Sequence, residues 1–210
     1  MSVPLLDIDH VSVTYPGKGW RGKPFTALRD VSLRVAEGRT VGLVGESGSG
    51  KTTLGRAVLG LAPVSSGHIR FDGADITKAN RRRRRSLSSD IQVVFQDPFT
   101  SLNPSMTIAE ILAEPLIAQG TSPADARRTV GGLLDRVALP MSSLQRLPRE
   151  FSGGQRQRIA IARALALKPR LIVCDEPVSA LDLTTQRRVL DLLVDIQHQT
   201  GVAYLFISHD

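Results

Sequence analysis

Thr40 to Thr53 read TVGLVGESGSGKTT. An apolar, β-rich run (Val41, Leu43, Val44) stops at Gly45. Gly50, Lys51 and Thr52 then complete the pattern G-x-x-x-x-G-K-[ST] of a phosphate-binding loop. Gly45, Gly48 and Gly50 let the backbone take positive φ and bring N–H groups close to an anion. A helix starting near Lys51 turns its positive end toward the same point. Lys51 is then a point charge for the β- and γ-phosphates, and Thr52 a hydroxyl for Mg²⁺. The flanks suit the motif, with a strand before it and the helical LGRAVLGL after it. A nucleoside triphosphate site is expected here.

The rest of the composition narrows the class. A chain of 210 residues, 41% hydrophobic and 22% charged, is expected to be one large domain or a core with a subdomain. The most apolar stretch, IAIARALAL, is broken by Arg163, which argues against a membrane-spanning helix. MSVPLLDIDH lacks the basic and apolar regions of a signal peptide. The single Cys174 excludes an internal disulfide and fits a reducing compartment such as the cytoplasm. The net charge is +7, and Arg81 to Arg85 carry five of the positive charges. A solvated surface helix or loop is expected for that run, with contact to phospholipid or nucleic acid as the alternative.

Outward from the loop, LLDIDHVSVTY (residues 5–15) alternates apolar and polar, as a half-buried strand does. Tyr15 ends it beside the loop PGKGWRGKP, where an aromatic face could stack on adenine. Trp20 is expected as an exposed loop residue. ALRDVSLRV is a second alternating strand, and PVSSGHIRFDGADI holds a short strand with a turn at Asp72-Gly73. In IQVVFQDP a buried strand of Ile91, Val93, Val94 and Phe95 leads to Gln96, and Pro98 forces an exit. Strand ends are where ligands lie in open α/β sheets, so Gln96 could touch Mg²⁺ or an attacking water.

TIAEILAEPLIAQ and SPADARRTVGGLLDRVAL are helical by periodicity, the second with Ser122 as N-cap. SGGQRQRIAIARALALKP follows, with Ser152 and Gln155 as a capping box. Gly153 and Gly154 weaken a helix but allow close approach to an anion. LIVCDEP is a buried strand ending in Asp175 and Glu176. Beside a phosphate loop, Asp175 suits Mg²⁺ and Glu176 suits orienting or deprotonating water. VAYLFIS ends at His209, an imidazole within reach of a γ-phosphate.

This ordered set, GESGSGKT, Gln96, SGGQ, CDEP, SALD and His209, resembles the ATP-binding cassette ATPase domain of ABC transporters along nearly the whole chain. The resemblance implies an α/β fold: a P-loop NTPase core with a mainly parallel sheet, an N-terminal antiparallel β region, and an inserted α-helical subdomain. Residues 1–210 form one such domain, with 1–99 and 152–210 as core and 100–151 as the insertion. Tyr15 resembles the adenine-stacking aromatic, and Gly45, Glu46, Ser47, Gly48, Ser49, Gly50, Lys51, Thr52 and Thr53 the Walker A loop. Gln96 resembles the Q-loop residue, Asp175 the Walker B aspartate, Glu176 the catalytic base, Asp182 the D-loop aspartate and His209 the switch histidine. Ser152, Gly153, Gly154 and Gln155 resemble the signature that faces a partner domain's ATP, with Phe151 where leucine is commoner. The implied ligands are ATP and Mg²⁺, the latter on Thr52, Gln96 and Asp175.

FQDPFTSLNPSMTIAEILAEPL and DEPVSALDLTTQ resemble the peptide and nickel importer branch. That implies membrane permease subunits, a second ATPase domain and, indirectly, an external substrate-binding protein, at the cytoplasmic face of the membrane. Family members continue beyond the switch histidine, so a C-terminally truncated domain is expected. Two other classes stand beside this one: a soluble cassette ATPase on nucleic acid or ribosomes, and an inactive nucleotide-binding fragment. The lack of a coiled-coil insertion, zinc-binding cysteines or a tandem copy disfavours nucleic acid as a partner.

Overall fold

The computed structural model describes residues 3–17 and 23–209. Trp20 and its neighbours in the expected loop lie outside them. Two four-stranded sheets share the chain. The first is antiparallel, in the order β2-β1-β4-β5, from β1 (Leu6–Tyr15), β2 (Phe25–Val35), β4 (Val64–Phe71) and β5 (Ala74–Asp75). The second is parallel, in the order β3-β8-β7-β6, from β3 (Thr40–Val44), β6 (Ile91–Val94), β7 (Leu171–Asp175) and β8 (Ala203–Ser208).

Seven helices accompany them among the described residues. They are α1 (Lys51–Val58), α2 (Arg81–Leu87), α3 (Pro98–Ser101), α4 (Ile108–Ala118), α5 (Pro123–Arg136), α6 (Gly153–Leu165) and α7 (Leu183–Thr200). Between β6 and β7 the described chain forms only α3 to α6 and two short 3-10 turns.

The parallel sheet divides the core by strand alternation, since successive side chains point to opposite faces. Leu171 and Val173 of β7 join Leu205 and Ile207 of β8 on one face, under α1 and the antiparallel sheet. Ile172 and Cys174 join Tyr204 on the other face, under α4 to α7. Burial pushes the Cys174 thiol well above its usual range, so it acts as a small apolar side chain. The buried Tyr204 hydroxyl donates to the Leu193 carbonyl at 3.0 Å.

The helix starts follow the sequence chemistry. Thr107 caps α4 with Glu110 in a capping box, and Ser122 caps α5 by accepting from the Asp125 N–H. The turn at Asp72 and Gly73 has positive φ at both residues, the hairpin geometry that Asp-Gly favours.

Two expectations change. Phe95 lies beyond the end of β6 and is 36% exposed, because that strand stops at Val94 as the chain turns toward Pro98. The arginine run is helical, but it is not wholly solvated. Arg81, Arg82 and Arg83 are exposed. The half-buried Arg84 guanidinium instead donates to the Val58 carbonyl at 3.0 Å and the Ile76 carbonyl at 2.6 Å. Arg85 donates to the Ala118 carbonyl at 2.6 Å. These two arginines fasten α2 to the C-terminal ends of α1 and α4.

Candidate functional site

Parallel pairing puts the C-terminal ends of β3, β6, β7 and β8 along one edge of the sheet. Gly45, Glu176 and His209 follow three of these ends directly and Gln96 lies two residues past the end of β6, so the topology gathers what the sequence scatters.

The phosphate loop runs from β3 into α1. Gly50 is the N-cap of α1, in left-handed backbone at φ 96°, with no side chain to accept from the first N–H groups. A Cβ at Gly50 would lie 2.5 Å from the Ala27 carbonyl oxygen, so β2 presses directly on the loop and only glycine fits. Lys51 is buried, and its ammonium donates to the carbonyls of Gly45 at 2.6 Å and Glu46 at 2.7 Å. A lysine held across its own loop has its charge at the point where an anion would enter.

Thr52 Oγ1 donates to Asp175 Oδ1 at 2.9 Å. Burial, with the Glu176 charge beside it, holds the Asp175 carboxyl above the usual carboxylate range, against the pull of Thr52, Arg56 and Lys51. A hydroxyl and a charge-starved carboxylate are hard oxygen donors suited to Mg²⁺. Among the described residues no three His, Cys, Asp or Glu side chains are grouped to hold a metal alone. Such a cation would therefore complete its shell with phosphate and water oxygens.

Glu176 follows Asp175 in left-handed backbone at φ 50°, which is uncommon for a residue with a side chain. Its N–H donates to the Ile207 carbonyl at 3.0 Å, and its own carbonyl accepts from Ser179 Oγ at 3.1 Å. These bonds hold the strained turn and aim the carboxylate. Its Oε2 accepts from Gln96 Nε2 at 3.1 Å and lies 3.2 Å from His209 Nδ1. Three polar side chains from three different strand ends thus meet at one oxygen.

A cavity of about 420 Å³ opens here, lined by Ser47, Gly48, Lys51, Thr52, Gln96 and Glu176, with Phe25 and Ala27 of β2 as a wall. Tyr15 is the direct cross-strand partner of Phe25, half-buried and packed against the core under the antiparallel sheet. Tyr15 does not line that cavity; the 64% exposed Phe25 does. Nothing in the alternating pattern of β2 marks Phe25 out.

Ser152 to Gln155 and Asp182 stand outside this cavity. Ser152 accepts from the Gln155 N–H at 3.3 Å, and Gln155 Oε1 accepts from the Ser152 N–H at 2.9 Å. A Cβ on Gly154 would sit 2.3 Å from Thr185 Cγ2, so this glycine also lets α6 pack on the start of α7. Asp182 caps α7, accepting from the Thr185 N–H at 3.0 Å.

The sequence reading also missed a pair of ties from α6 to the segment just after Gln96. The Arg156 guanidinium sits 4.0 Å over the Phe99 ring, and Arg163 donates to the Ser101 carbonyl. The arginine interrupting IAIARALAL was the visible sign of the second.

A family model described as ABC transporter matches residues 28–179. A Brucella ovis protein provisionally named a peptide import ATP-binding protein is 49% identical over 208 residues, covering 99% of this chain and 65% of that protein. The oligopeptide transport ATP-binding protein OppF of Lactococcus lactis is 46% identical over 213 residues, covering 98% and 66%. The chain thus spans about two thirds of the length of these relatives. Among solved structures, a dimeric ATP-binding cassette in a post-hydrolysis state bound to ADP and Pi superposes with a TM-score of 0.85 at 30% identity, over 98% of this chain and 88% of that one.

Proposed function

The chain belongs to the ABC transporter family, and from that premise we propose that it binds and hydrolyses ATP as a subunit of an importer, with peptides as the cargo class. The observation that carries the catalytic part is the meeting of Gln96 and His209 at Glu176 Oε2, on the wall of the cavity that holds Lys51.

The residues divide the work. The N–H groups of Gly45 to Thr53 and the open end of α1 receive the phosphates. Lys51 exchanges its two loop carbonyls for phosphate oxygens, which localises its charge on the ligand. Thr52 and Asp175, with Gln96 nearby, would hold Mg²⁺, which would supply charge neutralisation at the phosphate oxygens. Glu176 takes the proton of the attacking water, while Gln96 and His209 keep its carboxylate aimed. Tyr15 stands at the nucleoside side. Ser152 to Gln155 and Asp182 serve a site completed by a second cassette, which closes on ATP and reopens after hydrolysis.

Residues 1–99 and 152–210 act as the ATP-binding core. Residues 100–151 act as the helical subdomain that docks the permease at the cytoplasmic face of the membrane, where an external binding protein delivers cargo. Among the described residues no helix is long and apolar enough to cross a membrane itself. The names of the similar proteins support the peptide class.

The test is Glu176→Gln in a tagged chain. MgATP binding stays at the parent level, while phosphate release falls by at least about 100-fold, the lower range for removing a general base. With ATP present, the variant co-purifies from solubilised membranes with a permease and a second cassette. Turnover at the parent rate would remove Glu176 from its role. Recovery of ribosomes or nucleic acid, lost at high salt, would replace the transport reading.

A further inference from the structure

We propose that Lys78, Arg81, Arg82 and Arg83 form a contact surface for anionic phospholipid headgroups, an inference that rests on the importer reading above. Seven residues make α2, and five of them are arginine. Arg84 and Arg85 give their guanidinium groups to backbone carbonyls of neighbouring elements, and the buried Leu87 supplies the apolar contact. Those three residues dock the helix. Arg81, Arg82 and Arg83 are exposed, as is Lys78 just before them. Among the described residues no carboxylate pairs with any of these four cations. Packing therefore gives no reason for their charge.

Lys78 and Arg83 also line an open cavity of about 530 Å³, together with Ser65, Ser66, His68 and Thr77. Asp75 is the one carboxylate among the described lining residues, and its charge is answered locally. Its Oδ2 lies 2.7 Å from His68 Nδ1, and its Oδ1 accepts from the Thr77 N–H at 2.8 Å. Two cations and several hydroxyls around a cavity suit a phosphate group.

Position selects the kind of phosphate. Arg85 donates to the Ala118 carbonyl at 2.6 Å, and Gln119 Nε2 donates back to the Arg85 carbonyl at 2.9 Å and to Ser88 Oγ at 2.8 Å. These bonds tie α2 to the C-terminal end of α4, inside the segment 100–151 proposed above to dock the permease. A cassette docked through that segment carries α2 at the rim of the docking face, next to the leaflet around the permease. Such a leaflet attracts basic segments when its lipids are anionic. Nucleic acid fits less well. No Phe, Tyr or Trp is among the described lining residues to stack a base, and a seven-residue helix spans only about 10 Å.

The experiment is co-sedimentation of the full chain with vesicles of phosphatidylcholine alone and of phosphatidylcholine mixed equally with phosphatidylglycerol, at low and high salt. The parent binds the anionic vesicles at low salt, loses them at high salt and ignores the neutral ones. Three paired variants each remove two charges. Lys78→Gln with Arg83→Gln, and Arg81→Gln with Arg82→Gln, each weaken binding about 25-fold, at about five-fold per cation near an anionic surface. The control is Arg187→Gln with Arg188→Gln on α7, whose core residues lie across the parallel sheet from Leu87 of α2. Its binding stays within about two-fold of the parent, because charges beyond a Debye length are screened. Glutamine matches arginine in helix propensity, and an unchanged circular dichroism spectrum shows that each variant is folded. Equal losses in all three pairs overturn the proposal, since only overall charge would then act. Equal binding to both vesicle types, or none to the anionic ones, overturns it as well. So does capture of duplex DNA or RNA by the same arginines without vesicle binding, which would give the surface to nucleic acid. Co-purification of a permease is read separately. A permease without vesicle binding overturns this surface alone, and vesicle binding without a permease upholds the surface while removing the importer reading.

Discussion

Helices α1 and α6 both begin on glycine-rich turns, yet their first N–H groups are treated oppositely. At α1 the N-cap is Gly50, left-handed and without a capping side chain, and the first turn carries no acidic residue. At α6 the N-cap is Ser152, closed by a reciprocal capping box with Gln155. The first four N–H groups of any helix lack intrahelical partners. The capping box answers two of them at α6 from within the chain, whereas α1 leaves its set to whatever enters the cavity. The α1 turn is incomplete without a ligand. The α6 turn is complete enough to fold alone, and only its two glycine N–H groups remain for something outside. The same residue type therefore serves two ends, and the difference lies in what surrounds it.

The largest expected effect falls on the incomplete turn. Lys51→Ala removes the only ammonium among the described residues that line the cavity, and with it several charge-assisted bonds to phosphate. ATP binding, read by calorimetry, weakens by about 100-fold or more, at about 1.5–3 kcal/mol for each bond to a charged group. The fold survives, because Lys51 bonds only to carbonyls of its own loop. Retained affinity would mean that the backbone N–H groups alone carry the phosphates, which would make α1 less dependent on its side chain than its open cap suggests.

A smaller effect tests the complete turn. Gly154→Ala places a methyl 2.3 Å from Thr185 Cγ2, and α6 or α7 must shift to accept it. Overpacking of this kind costs about 1–3 kcal/mol, measured by urea unfolding. Thr185→Ser deletes that one methyl and keeps the backbone N–H that Asp182 accepts. In the double variant the loss disappears, and alanine's helix propensity of about 1 kcal/mol over glycine becomes visible. A Gly154→Ala chain as stable as the parent would break the packing account and return this glycine to anion approach alone.

These two turns also show how far the sequence reaches. The phosphate loop, the strand ending in Asp175 and Glu176, and the capped starts of α5 and α6 are legible because each depends on residues within a few positions. The unbroken apolar run LIVC likewise foretold the buried β7. What stayed hidden depends on partners far along the chain. Thr185 explains Gly154 only once α6 lies on α7, and Val58, Ile76 and Ala118 explain Arg84 and Arg85 only once α2 is docked. Phe25 falls outside the strand read from the sequence, ALRDVSLRV, until β2 is seen to begin at it and to lie against Gly50. Phe95 misled because an apolar residue directly after a buried strand extends the pattern while the backbone has already turned away.

The smallest effect decides whether the comparison holds in energy as well as in shape. Ser152→Ala removes one half of the capping box, leaving the Gln155 N–H without its side-chain acceptor. Losing an N-cap hydroxyl costs about 1 kcal/mol, and replacement by glycine only a few tenths. The expected result is a modest drop in unfolding free energy for Ser152→Ala, less for Ser152→Gly, and unchanged ATP affinity of the isolated chain. Affinity stays because the Ser152 turn lies outside the cavity that holds Lys51. If ATP affinity of the isolated chain fell with the cap, the α6 turn would be acting on its own chain's nucleotide, and the distinction between an incomplete and a complete helix start would collapse. If stability fell and affinity did not, any effect of Ser152→Ala on turnover in the proposed assembly would belong to the site of the proposed second cassette.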